Sequence, residues 1–193
     1  MTFDLPIDDT QPRPARLTAR DFWLLADAGA FAGNARTELI EGEIWVVNSV
    51  HRWHARVMAQ IHLALVAAIR DAGLDLEVLL AGSVSMGNFS VPEPDLSVIP
   101  ISDEDDRAIG LQELKLAIEI SDSTLRADLG RKATLYASHN VPEYWVIDRD
   151  GAQVIQHLDP AGDVYATVRK IAFGEDVAAA TIPGLRVPTI TLR

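Results

Sequence analysis

Residues 114–120, Leu-Lys-Leu-Ala-Ile-Glu-Ile, form a nearly continuous apolar run. A strand of this kind is buried on both faces, which places it in the middle of a sheet with a packed layer on either side. A helical pattern follows from Ser123 or Thr124 to His139 and closes at Asn140, and then a second apolar strand spans 143–148. Strand, helix and strand in that order predict a mixed α/β core.

The flanking segments fit the same class. Thr18 with Asp21 reads as an N-terminal cap, and Phe22, Leu25 and Ala26 give one apolar face before Gly29 and Gly33. Glu38 to Ile40 and Glu43 to Val47 read as a hairpin turning at Glu41-Gly42. From His51 to Ala72, Met58, Ile61, Leu65 and Ala68 recur at helical spacing up to a stop at Gly73. Short strands are expected at 76–80, 83–86 and 96–99, and later at 153–158 and 164–169 after the Asp150-Gly151 turn. Residues 1–16, with three prolines among acidic residues, read as an extended arm, and 17–193 as a single domain.

Several chemistries are excluded. There is no cysteine, so disulfides, thiolate metal sites and cysteine nucleophiles are absent. No GxGxxG or Walker spacing occurs, and Ser121 and Ser123 lack elbow glycines. His51, His54 and His62 share no single helical face, which argues against a zinc site. Apolar stretches stop short of a membrane span and no signal peptide is evident, so the expected compartment is the cytoplasm. With 28 acidic and 17 basic side chains the net charge is −11, which weighs against nucleic acid as a partner.

The informative residues are those whose charge conflicts with their surroundings, since an unpaired buried charge costs several kcal/mol. Glu119 lies inside the central strand, and Asp95 opens the run Leu96 to Ile99 directly after Pro94. At 100° per residue Leu125, Leu129, Lys132 and Tyr136 fall on one face, so Lys132 projects toward the sheet. The plain alternatives are a buried Glu119–Lys132 ion pair without chemistry, or a lysine that snorkels to solvent. Two carboxylates with a lysine are also what metal-assisted phosphodiester hydrolysis requires. The carboxylates hold Mg²⁺ and the lysine orients or helps deprotonate water. His54 lies on the apolar helix face and reads as a hydrogen-bonded core histidine, with contact to a phosphate or a metal-ligating carboxylate as its functional alternative. Tyr144 and Trp145 read as core.

Glu38-Leu39-Ile40-Glu41-Gly42-Glu43, Pro94-Asp95-Leu96, Ala117-Ile118-Glu119-Ile120-Ser121, Lys132 with Tyr136, and 141–148 follow one another in order. This series resembles the Uma-two family of putative restriction endonucleases, within the PD-(D/E)xK nuclease superfamily. The resemblance spans about residues 37–158 and implies a restriction-endonuclease-like core, a mixed sheet flanked by helices with additional β-hairpins. It implies that Asp95 and Glu119 bind Mg²⁺, with Mn²⁺ as a substitute and the Ile120 carbonyl as a further donor. It also implies an auxiliary acid at Glu38, for which Glu41 competes, and places the lysine at Lys132 because Ser121 stands where the general motif has it.

The expected activity is Mg²⁺-dependent endonucleolytic cleavage of DNA by Glu38, Asp95, Glu119 and Lys132. The competing expectations are a non-catalytic binding or assembly module on the same fold, such as a homodimer, and a hydrolase of another phosphate ester. Arg52, Arg56 and Arg70 on the long helix, with Arg126 and Arg131 beside Lys132, are the basic residues available for weak, salt-sensitive DNA binding.

Overall fold

The structure is a computed structural model that describes residues 14–34, 36–47, 51–103, 108–190 and 192. Most of the proposed arm, and residues 104–107 of the acidic stretch, lie outside the described residues. Helix α1 (Ala19–Asp27) begins at the capping box read from the sequence, with Thr18 and Asp21 bonding each other's backbone N–H. The hairpin of β1 (Arg36–Ile40) and β2 (Glu43–Val47) follows. Helix α2 (Arg52–Ala72) stops at Gly73, whose φ of 63° is the left-handed conformation glycine adopts without strain.

The central sheet is six-stranded. Its members are β3 (Leu76–Leu80), β5 (Leu96–Pro100), β7 (Leu116–Ser121), β8 (Glu143–Asp148), β9 (Gln153–Ala161) and β10 (Val164–Ala172). They run in the order β10-β9-β8-β7-β5-β3, and β7 is buried at every position. Within this sheet, among the described residues, only β7 and β8 are parallel neighbours, because the helical segment between them makes a crossover. Two short parallel strands, β4 (Val84–Ser85) and β6 (Ile109–Gly110), lie apart from the sheet. Strands β11 (Asp176–Ala178) and β12 (Arg186–Pro188) pair antiparallel near the C-terminus.

Alternation along β7 divides the interior. Leu116, Ile118 and Ile120 face α2, where they join Val57, Ile61, Leu65 and Ile69, and the β11–β12 pair closes this layer with Val177 and Val187. Ala117 points the other way into a layer with Tyr136, Tyr144 and Val146. Glu119, two residues on, must face the same layer. A third cluster of Phe22, Leu39 and Val91 fixes the β1–β2 hairpin to the body through paired backbone bonds between Leu39 and Val91.

The crossover departs from the regular helix expected between 123 and 139. It is three pieces, α3 (Leu125–Ala127), a π-helical segment (Asp128–Lys132) and α4 (Ala133–Ser138). The wider π turn shifts the inward positions, so Leu129 is 37% exposed while Asp128, Lys132 and Tyr136 face the sheet. Three other expectations need correction. The strand expected at 83–86 is only Val84–Ser85, and β9 and β10 run longer than the sequence suggested. The Thr124 hydroxyl, ahead of α3, donates to Asp128 at 2.6 Å.

Candidate active site

Glu119 comes from the middle of the sheet, on the face covered by α4. One of its oxygens accepts from Lys132 Nζ at 2.8 Å and from the Tyr136 hydroxyl at 3.1 Å. Lys132 Nζ also donates to Glu38 at 3.0 Å, so the lysine bridges the hairpin and the central strand. Asp95 lies just before β5, whose Leu96 pairs with Ile118 of β7. That register lets the Ile120 N–H donate to Asp95 Oδ2 at 2.8 Å. His54 Nε2 approaches the same oxygen at 3.0 Å from α2. Glu38, Asp95, Glu119 and Lys132 thus line one cavity of about 720 Å³.

The side chains of Glu38, Asp95 and Glu119 are 2–5% exposed and that of Lys132 is 12% exposed. Glu38 rather than Glu41 belongs to this group; Glu41 is on the surface and pairs with Arg131. His54 is the buried, hydrogen-bonded histidine expected, and its partner is Asp95. Arg126 and Arg131 lie with Lys132 on the helical crossover after Glu119, and both line the cavity.

Sequence reasoning missed three members, Arg36, Glu93 and Asp128. Arg36 places one guanidinium nitrogen 2.7 Å from Asp95 and another 2.9 Å from Glu93, donates to the Glu93 carbonyl, and lies 3.5 Å from Glu38. Strand period would have found it, because Arg36 and Glu38 share a face of β1. Asp128 is buried and accepts from Ser121 at 2.5 Å and from Thr124. Its position four residues before Lys132 was the available signal.

The electrostatics follow from burial and crowding. Burial alone would raise the Asp95 carboxyl, but His54, Arg36 and the Ile120 N–H bring it down to about 2. Glu119 goes the other way. Its burial, reinforced by Asp95, Asp128 and Glu38, outweighs Lys132 and holds the carboxyl well above the usual range. Burial would lower Lys132, yet Glu119 and Glu38 outweigh it and keep the ammonium protonated. Burial likewise raises Asp128 and Glu93. Glu38, Glu93, Asp95, Glu119 and Asp128 are thus gathered around the cations Arg36 and Lys132, with Arg126 and Arg131 also lining the cavity.

That donor set fits a hard divalent cation in kind, with carboxyl oxygens gathered around a cavity. Among the described residues no group of three or more His, Asp or Glu side chains is arranged to hold a metal. Two carboxylates with water are sufficient for Mg²⁺, which dehydrates reluctantly and keeps several waters. Asp95 and Glu119 are the pair that adjoining strands bring together.

A mixed six-stranded sheet with helices on both faces and an acidic cavity at the β5–β7 pair defines a restriction-endonuclease-like α/β protein. The chain belongs to the Uma-two family, described as "Putative restriction endonuclease", whose sequence model matches residues 23–192. A crystal structure from Anabaena variabilis, of a protein described as a putative nuclease belonging to DUF820, has the same fold. The TM-score is 0.68 at 18% identity, covering 93% of this chain and 97% of that one. No curated protein matches the chain in sequence. Among the described residues no helix is long and apolar enough to cross a membrane.

Proposed function

We propose that residues 17–193 form one Mg²⁺-dependent endodeoxyribonuclease unit, preceded by an arm at 1–16, with Asp95 and Glu119 as metal ligands. The observation that carries this is the convergence of Glu38, Asp95, Glu119 and Lys132, from four separate stretches of the chain, on one cavity. A bound divalent ion supplies charge stabilisation at the phosphoryl group. Lys132 remains a cation, so its part is to hold and orient the attacking water rather than to remove its proton. Glu38 fixes the lysine from the far side, and Tyr136 fixes Glu119. His54 and Arg36 hold Asp95 ionised and oriented.

Cleavage of supercoiled and single-stranded DNA with Mg²⁺ or Mn²⁺ tests this directly. Activity lost in Asp95→Ala, Glu119→Ala and Lys132→Met supports it, and cleavage equal to wild type in the first two excludes it. One observation favours a second function, a non-catalytic assembly module such as a cytoplasmic homodimer. Arg36 and Lys132 already satisfy oxygens of Asp95, Glu38 and Glu119, so the cluster is able to serve as a structural ion-pair network. That function predicts no Mg²⁺-dependent rise in melting temperature and a stable dimer by light scattering.

A further inference from the structure

Trp45 is 44% exposed, although tryptophan is among the side chains with most to gain from burial. Its place in the hairpin is specific. The β1–β2 register sets Trp45 directly opposite Glu38, so both side chains are on one face, Glu38 buried at the acid cluster and Trp45 at the cavity mouth. Arg131 lies with its guanidinium carbon 4.4 Å from the Trp45 ring centroid and is itself held by Glu43 at 2.8 Å and Glu41 at 3.3 Å. The indole is thereby braced by Arg131 while it remains 44% exposed and lines the cavity.

We infer that Trp45 is a stacking platform for a nucleobase of an unpaired DNA strand, seating the adjacent phosphate over Glu38, Lys132 and Glu119. The inference rests on the nuclease reading for its ligand and goes beyond it in naming the substrate class. Two further observations point to an unpaired strand rather than a duplex. A cavity of about 720 Å³ has the size of a small-molecule site, room for a splayed nucleotide but not for a double helix. A chain of net charge −11 gains little from releasing the counterions of duplex phosphates. Stacking on an aromatic face does not depend on that release. Arg126 on the same rim supplies a cation for a neighbouring phosphate. A braced ring also loses little freedom on binding.

The test is fluorescence anisotropy of a labelled oligothymidylate and of a blunt duplex of equal length, with the full chain in Ca²⁺. Wild type is expected to prefer the single strand by about 10-fold or more, and Trp45→Ala to weaken that binding about 10-fold to 100-fold. Trp45→Phe, which keeps an aromatic face, is expected to restore most of it, and unchanged melting temperatures show that the hairpin has survived. Equal single-strand affinity in Trp45→Ala and wild type, or tighter binding of the duplex, overturns the inference. Because binding is read apart from cleavage, the two ideas fail separately. Binding through Trp45 without hydrolysis sinks only the nuclease reading, whereas hydrolysis indifferent to Trp45 sinks only the platform.

Discussion

At the residue scale, the site is governed by buried carboxylates whose protons are held in opposite directions. Asp95 falls to about 2 from 3.8, so its contribution is present above the unfolded value and is lost as the pH drops through the folded one. That contribution is roughly 2 kcal/mol. Glu119 is raised above 4.5, so its contribution is full below that value and disappears as the pH climbs through the folded one. Urea unfolding across pH is therefore expected to separate two variants. Asp95→Asn flattens the acid limb, whereas Glu119→Gln gains on wild type as the pH rises above 4.5. Parallel curves for wild type and Glu119→Gln would mean that Glu119 is not perturbed. Lys132→Met leaves Glu119 and Glu38 without their shared cation and is expected to cost about 3–5 kcal/mol. Adding Glu119→Gln to it should recover much of the loss, and a double variant as unstable as the single one would show that the pair is not coupled.

At the element scale, the crossover between the two parallel strands determines what reaches the site. Its π-helical turn brings Asp128, Lys132 and Tyr136 inward together, where an unbroken α-helix would have directed Leu129 toward the sheet. Gly130 sits in this turn with helical φ, and a Cβ there meets nothing within 4 Å. Gly130→Ala is expected to stabilise the protein by about 0.5–1 kcal/mol, a rise of about 1–4 °C in melting temperature. A fall instead would show that the turn needs glycine. On the next strand, Glu143 is fully buried and accepts from Trp145 Nε1 at 2.6 Å, Gln156 at 2.7 Å, and the Thr181 N–H and hydroxyl at 2.9 and 2.8 Å. Glu143→Ala strands these donors and should cost about 3 kcal/mol, with faster amide exchange at Thr181. Unchanged exchange there would mean that other contacts hold the C-terminal segment.

At the scale of the whole molecule, the charge of −11 has a distribution that matters more than its sum. A ligand that binds only the folded state stabilises it by about 2.7 kcal/mol at a hundredfold excess over Kd. Saturating Mg²⁺ is thus expected to raise the melting temperature by about 5–10 °C, and Asp95→Asn or Glu119→Gln to abolish the shift. An equal shift in those variants would place the ion elsewhere. The layered core was legible because apolar periodicity reports burial directly. The run at 114–120 and the face of α2 announced a central strand and its covering helix. Glu119 and Asp95 were legible for the converse reason, since charges inside apolar runs are costly without partners. Lys132 was found through helical spacing even though the spacing itself is not regular α.

The amino-acid sequence by itself determined the α/β class, the family resemblance, and the four charged residues that converge, because each depends on local pattern or on polarity against local burial. Only the tertiary structure decided that Arg36 shares Asp95, that His54 is its other partner, that Glu38 rather than Glu41 enters the cluster, and that Trp45 lines the same cavity. Those contacts join residues as much as 94 positions apart, across strand registers and a π turn that local propensity does not encode. Register and crossover geometry are settled by the packing of the whole chain, and the chemistry of the cavity depends on them.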